Sequence, residues 1–238
     1  MCVLTYVPVE SGGFVVTSNR DENIIRSKAK PPKKLKVKGI EVFCPVDPSS
    51  GGTWIATSKK HTLVLLNGGY KKHISQPPYR QSRGKVIMDF FCWNDADLFL
   101  KNFEFDQMEP FTLLIFENEN HTEITEIKWC SNSVFMNKLE GKEPLIWSSA
   151  TLYDQEAMDK RASWFMHYLT NVSKENTPDD ILEFHENGGS WDAKDSINLN
   201  RDNGIKTVSI TQIEVNHDTK RISYIDMQSH SKKRFLVL

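Results

Sequence analysis

The chain has few cysteines, no long apolar run and no excess of either charge. Its 30 Lys and Arg residues nearly balance 31 Asp and Glu residues, for a net charge of −1. Without a positive excess there is no electrostatic reason to expect a nucleic-acid partner. No apolar run approaches the roughly 18–20 residues of a membrane-spanning helix, and the first residues lack the basic flank, apolar stretch and cleavage site of a signal peptide. We therefore expect a soluble, cytoplasmic protein without a transmembrane segment.

The cysteines are scattered along the chain. They stand at Cys2, Cys44, Cys92 and Cys130, and no two have the Cys-x-x-Cys spacing. Neither a zinc knuckle nor a disulfide framework is therefore indicated. We expect free thiols and no metal site.

The rest of the composition is that of a globular protein, with 39% hydrophobic and 11% aromatic residues. No linker is evident, so we expect a single domain over residues 1–238. Strand-forming segments come first, helical segments interrupt them and strands return, unlike the strict β-α-β alternation of a parallel sheet. The sequence predicts an α+β fold, in which two antiparallel sheets and outer helices form a four-layer αββα sandwich.

Periodicity and capping residues predict the individual elements. The predicted helices cover residues 82–93, 96–102 (capped by Asn94 or Asp95), 153–170 and a segment that starts at Thr177 and stops at residues 187–189. Strands are predicted at residues 42–45, 53–57, 62–67, 111–117, 123–130, 205–215, 221–227 and 234–238.

A basic stretch occupies residues 26–38, where seven of thirteen residues are cations. One interpretation is a solvated loop and edge strand whose lysines discourage pairing with another chain. The other is a basic rim that attracts an anionic ligand.

The N-terminal segment carries the main chemical signal. Residues 2–9 and 13–18 predict two strands joined by a turn at Ser11-Gly12-Gly13. A hairpin of this kind brings the start of the chain beside residues 19–22, which are Asn, Arg, Asp and Glu. A cysteine at position two then lies near an arginine and two carboxylates.

This arrangement suits an N-terminal nucleophile. If Met1 is removed, Cys2 carries both a thiol and a free α-amine with a reference pKa near about 8, which is a usable general base. Arg20 favours the thiolate and Asp21 is placed to orient the α-ammonium group. Asn67 ends a continuously apolar strand and is a candidate donor for an oxyanion.

The chain resembles the NRDE family, named for the residues that stand here as Asn19-Arg20-Asp21-Glu22. The animal members of this family are the transport and Golgi organisation proteins. The resemblance rests on those four residues, on Met1-Cys2 and Asn67, and on the stretches Gly51-Gly52-Thr53-Trp54 and Ser82-Arg83-Gly84.

The family in turn resembles the N-terminal-nucleophile hydrolases of the penicillin-acylase and bile-salt-hydrolase kind. That resemblance implies an αββα sandwich, cleavage of a linear amide, and catalytic roles for Cys2, Arg20, Asp21 and Asn67. In those hydrolases a second asparagine follows a later strand and an arginine opens a late strand. The residues at these places here are Ser149 and Lys206, and lysine does not reproduce a bidentate arginine contact. The predicted substrate-binding residues are Asn19, Glu22, Trp54, Ser149 and Lys206.

Two functions are consistent with these residues. The first is an N-terminal cysteine amidohydrolase, or an acyltransferase, which acts on a small linear amide or acyl substrate and needs no cofactor. The second is a non-catalytic binding or trafficking protein for haem or an acyl-lipid on the same scaffold. Cys44-Pro45 is a dipeptide that can ligate haem iron through its thiolate, although the favoured interpretation is a buried structural cysteine before a turn proline.

Overall fold

The computed structural model describes residues 3–10, 12–120, 122–173 and 175–237, so the predicted nucleophile Cys2 lies outside the described residues. The strands are β1 (Val3–Pro8), β2 (Phe14–Asn23), β3 (Lys30–Val37), β4 (Ile40–Val46), β5 (Ile55–Thr57), β6 (His61–Asn67), β7 (Phe111–Glu117), β8 (Glu123–Trp129), β9 (Val134–Glu140), β10 (Leu145–Ser148), β11 (Ile205–Val215), β12 (Lys220–Asp226) and β13 (Ser231–Val237). The helices are α1 (Val86–Trp93), α2 (Ala96–Asn102), α3 (Gln155–His167) and α4 (Pro178–Asn187). None of these helices has the length and apolarity needed to span a bilayer.

The chain divides into two compact units, Met1–Arg26 with Lys142–Leu238, and Ser27–Gly141. Unit 1 holds a six-stranded sheet in the order β10-β1-β2-β11-β12-β13, and unit 2 holds a seven-stranded sheet in the order β3 to β9. All paired strands within the two sheets are antiparallel. The α+β class with two antiparallel sheets is therefore confirmed.

The predicted N-terminal hairpin is present in unit 1. β1 pairs with β2 from Val3 opposite Asn19 to Pro8 opposite Phe14. Gly13 in the connecting turn has a φ of +108°, and a Cβ there would lie 2.0 Å from the carbonyl oxygen of Val215, so only glycine fits this position.

One face of the unit 1 sheet is packed against helices. Val3 and Val7 of β1 form an apolar cluster with buried residues of α3 and α4, among them Phe165 and Phe184. The start of α4 is fixed by a capping box, in which the Thr177 hydroxyl and the Asp180 carboxylate bond to each other's backbone N–H groups. The predicted helix start at Thr177 is confirmed, and its strong capping pattern explains why it is recognisable in the sequence.

The unit 2 sheet packs one face on α1 and α2 through a large aromatic and aliphatic cluster. β6 is buried along six of its seven residues, as expected for its continuous apolar run. Asp95 caps α2 by accepting from Leu98 N, whereas Asn94 ends α1 in the left-handed conformation. The basic stretch forms β3 at one edge of the sheet, with most of its lysines exposed, so the solvated edge-strand interpretation is confirmed.

Candidate active site

Asn19 lies fully buried in β2 and holds α4 against the sheet. Its Nδ2 donates to the carbonyl oxygens of His185 and Ile197 at 3.1 and 2.9 Å. Since both amide hydrogens are used there, Oδ1 accepts from Nδ1 of His185, at 2.7 Å. The described contacts thus assign Asn19 to the internal structure of unit 1.

His185 extends this network to β1. Because Nδ1 carries the proton donated to Asn19, Nε2 accepts from the Thr5 hydroxyl at 2.8 Å. The pKa of His185 is lowered from 6.5 to about 3, first because the ring is completely buried and second because the positive charge of Arg161 is nearby. The imidazole is therefore neutral and structural, and nothing in the local sequence singles it out from other histidines.

Arg20 and Glu22 share the face of β2 that lies opposite the helices. Arg20 is 4% exposed, and its Nη2 lies 3.6 Å from Oε2 of Glu22. The same Glu22 oxygen lies 3.4 Å from Nε of Arg26. Glu22 thus lies between two guanidinium groups.

Asp21 lies on the helix-facing side of β2, where Thr207 of β11 contacts it. The Thr207 hydroxyl donates to Oδ1 of Asp21 at 2.5 Å and accepts from Leu199 N at 2.8 Å. A β-bulge follows Thr207, so that Ser209 and not Val208 stands opposite Arg20. Lys206, the residue chosen from sequence, is only partly buried and stands opposite Glu22, while the neighbouring Thr207 is the residue that holds Asp21.

Ser149 is fully buried directly after β10, whose last residue Ser148 pairs with Val3. Its carbonyl oxygen accepts from the backbone of Tyr153 at 3.1 Å, and its hydroxyl accepts from Thr151 N at 3.3 Å. The turn that carries Ser149 is therefore closed by local hydrogen bonds.

Arg161 of α3 supports the end of β10 and the turn that follows it. The sequence does not reveal this role, because the position of Arg161 on the buried face of α3 predicts only core packing. Arg161 is fully buried. Its guanidinium donates to the carbonyl oxygens of Asp195 and Ser196 at 2.9 and 2.6 Å and to the Ser148 hydroxyl at 3.4 Å. Its Cζ lies 3.5 Å from the centre of the Tyr153 ring. A cation with these partners stiffens the end of β10.

Asn67 and Trp54 belong to unit 2. Asn67 is the last residue of β6, partly buried and opposite Phe111. The chain after it is tied to β7, since Gly68 N donates to the Pro110 carbonyl at 2.9 Å. Trp54 is 4% exposed.

The structure thus places residues 19–22 and Lys206 on neighbouring strands of one sheet, Ser149 beside β1, and Asn67 and Trp54 in the other unit. The catalytic and substrate-binding roles of all these residues stay predictions.

In the part of the chain that the structure describes, the side chains that could ligate a metal ion are not grouped. No set of three or more His, Cys, Asp or Glu side chains that could hold a metal ion occurs within residues 3–10, 12–120, 122–173 and 175–237. Cys44 is buried in the unit 2 core, where burial raises the pKa of its thiol to about 12. The interpretation of Cys44 as a structural core residue is therefore confirmed.

The chain matches one known family along almost its whole length. The family model described as "Transport and Golgi organisation 2" matches residues 1–236. The chain belongs to that family. No curated protein matches the chain. The four residues Asn19-Arg20-Asp21-Glu22, on which the resemblance rests, are consecutive in β2.

Two solved structures are similar to the whole chain. One is the Caenorhabditis elegans ortholog of N-acylethanolamine-hydrolyzing acid amidase, 10% identical, with a TM-score of 0.55 and 100% of both chains covered. The other is penicillin V acylase from Agrobacterium tumefaciens, 8% identical, with a TM-score of 0.56 over 100% of this chain and 86% of that chain. The predicted N-terminal-nucleophile hydrolase fold is confirmed by these likenesses.

The bond between Thr207 and Asp21 gives a direct test of this part of the site. Replacing Thr207 by valine removes a donor to a carboxylate and an acceptor for Leu199 N, so we expect the free energy of unfolding to fall by about 2–3 kcal/mol in urea titration. Thr211→Val is the matched control on the same strand, because the described residues offer its buried hydroxyl no hydrogen-bond partner. We expect a change below about 0.5 kcal/mol there. Equal effects of the two changes would contradict the assignment.

Proposed function

We propose that the protein is an N-terminal cysteine amidohydrolase, or an acyltransferase with the same thioester intermediate, which acts on a small linear amide or acyl substrate. The observation that carries this proposal is the position of Arg20 and Asp21. Val3 of β1 pairs with Asn19 of β2, and Arg20 and Asp21 are the next two residues of β2, both buried. Cys2 directly precedes Val3 in the chain. The amidase and acylase whose fold the chain shares make this class of reaction the natural one to test.

In the proposed reaction, the sulfur of Cys2 attacks the carbonyl carbon of the substrate. The thiol proton passes to the α-amine and then to the leaving nitrogen as the C–N bond breaks, which leaves a thioester on sulfur. Water, or another acyl acceptor, then cleaves the thioester. Asn67 is the proposed donor to the oxyanion.

Arg20 and Asp21 take different parts in this proposal. Consecutive strand residues point to opposite faces of the sheet, and the two side chains have separate partners, Glu22 for Arg20 and Thr207 for Asp21. We assign Arg20 to the thiolate, because a buried guanidinium favours an adjacent anion. We assign Asp21 to the α-ammonium group, with Thr207 as the residue that sets the carboxylate's position.

The state of residue two tests the proposal. We expect intact-mass measurement to show loss of Met1, and peptide mapping to show that iodoacetamide modifies Cys2 before the exposed Cys92. Arg20→Met should slow the alkylation of Cys2 about tenfold, since one pKa unit changes the thiolate fraction by that factor. Arg26→Met, which removes the other guanidinium at Glu22, should leave the rate within about twofold.

Two further outcomes complete this test. Arg20→Lys keeps the charge and should retain most of the reactivity, which separates electrostatics from a packing defect. Retained Met1 together with an unreactive Cys2 would overturn the proposal.

Non-catalytic binding or trafficking of haem or an acyl-lipid stays the alternative prediction for the function. A cytoplasmic location also stays a prediction. Cys44 is a poor candidate for the haem ligand in that case, because its sulfur is enclosed by the apolar core of unit 2. A haem site on this scaffold would have to use other side chains.

A further inference from the structure

A cavity of about 340 Å³ opens beside the end of β6 in unit 2. It is lined by the segment Gly69–His73 just beyond β6, by Pro110 directly before β7, by residues 130–133 between β8 and β9, and by Phe135 of β9. The volume falls in the range of small-ligand sites. The neighbouring ends of β6, β7, β8 and β9 in one sheet thus form a concave surface.

The base of this cavity is tightly built. A Cβ on Gly69 would lie 2.5 Å from Sγ of Cys130 and 2.9 Å from the Trp129 carbonyl oxygen, so only glycine allows the two segments to approach this closely. Gly68 is held on β7 by two hydrogen bonds of 2.9 Å, one to the Pro110 carbonyl and one from the Thr112 hydroxyl. The backbone that carries the next four side chains is therefore anchored.

Two aromatic rings form one wall. Tyr70 and Phe135 meet edge to face with their centres 5.4 Å apart, and they are 51% and 44% exposed. The Lys128 ammonium lies 4.5 Å from the centre of the Tyr70 ring. Half-exposed aromatic rings beside a cavity offer a surface on which an apolar or planar ligand group gains contact area.

The polar wall is basic. Lys71, Lys72 and His73 line the cavity, and its described lining residues include no carboxylate. The carboxylate of Glu109 lies 3.1 Å from Nε2 of His73 and 3.1 Å from Nη2 of Arg83, so the negative charge of Glu109 is balanced by Arg83. Nδ1 of His73 is buried and has no hydrogen-bond partner among the described residues, which leaves a polar atom that a ligand would satisfy.

We propose that this cavity binds a small organic anion, in which a carboxylate or phosphate group lies next to an apolar or aromatic part. Lys71 and Lys72 attract the anionic group, Nδ1 of His73 is the ring nitrogen left to bond to it, and Tyr70 and Phe135 cover the apolar part. Binding at this cavity needs neither Cys2 nor turnover. It is therefore tested separately from the proposed catalysis.

The test is a titration of the full chain, followed by NMR of the backbone amides, with four matched probes. These are phenylacetate, phenyl phosphate, uncharged benzyl alcohol and cationic benzylamine. We expect one or both anions to shift the amides of residues 69–73 and 130–135, and the other two probes to bind at least about tenfold more weakly. The two anionic probes distinguish a carboxylate from a phosphate ligand, and Cys2→Ala should bind them unchanged.

Paired variants give the control. Lys71→Ala with Lys72→Ala should weaken anion binding about tenfold or more. Lys59→Ala with Lys60→Ala removes an equivalent exposed pair outside the cavity and should leave it unchanged. Equal binding of all four probes, equal loss in both double variants, or binding of anionic vesicles without binding of either small anion would overturn the proposal.

Discussion

Replacing Asn19 by alanine is expected to lower the free energy of unfolding by about 3–5 kcal/mol. The change deletes three hydrogen bonds at a site with 0% exposure. It removes the Asn19 partner from Nδ1 of His185 and from the carbonyl oxygens of His185 and Ile197 in a buried region. Unsatisfied buried groups lose their full hydration, which is why the loss exceeds that of an ordinary hydrogen bond.

Urea titration of the full chain measures this effect, and Asn23→Ala is its control. Asn23 ends the same strand but is exposed, and its side chain accepts a hydrogen bond from the neighbouring Ile25 N, at 3.0 Å. We expect a change within about 0.5 kcal/mol there. In a double-mutant cycle with His185→Phe, the two losses should be strongly non-additive. Additive losses, or a loss at Asn19 no larger than at Asn23, would show that the network does not stabilise the fold.

Acidification is expected to remove stability through the same histidine. The pKa of His185 is lowered to about 3 in the folded protein, from 6.5, so between these values the unfolded chain binds the proton and the folded chain does not. The contribution of the neutral His185 to the free energy of unfolding is therefore complete above pH 6.5 and declines as the pH falls toward 3. Linkage gives a loss of about 2 kcal/mol at pH 5 relative to pH 7.

Urea titrations at several pH values between 5 and 7 check this prediction, because the carboxylates with lowered pKa values contribute mainly below that window. His185→Gln should be less stable at pH 7 but nearly independent of pH in the window. The exposed His167 is the matched control, and His167→Gln should keep the wild-type slope. A slope that survives His185→Gln would contradict the assignment of a neutral, buried His185.

Local patterns were sufficient for most elements. The capping sequence at Thr177, the apolar run of β6 and the glycine turn of the first hairpin each act over a few residues, so their structures follow from neighbours in the chain. β9 was not predicted, because six of its seven residues are exposed and no face carries an apolar period. Its existence depends on pairing with β8, which a local pattern does not reveal.

The candidate site shows the same division. The NRDE residues, their family and the α+β fold class follow from the sequence, because motif, order and periodicity are properties of the chain itself. That Thr207 and not Lys206 meets Asp21 depends on strand register, which places residues 186 apart in contact. The partnership of Asn19 with His185, across 166 residues, was likewise decided only in the tertiary structure. A hydrogen bond of this kind requires two buried groups to be brought together by packing, and neither residue's neighbours in the chain specify the other.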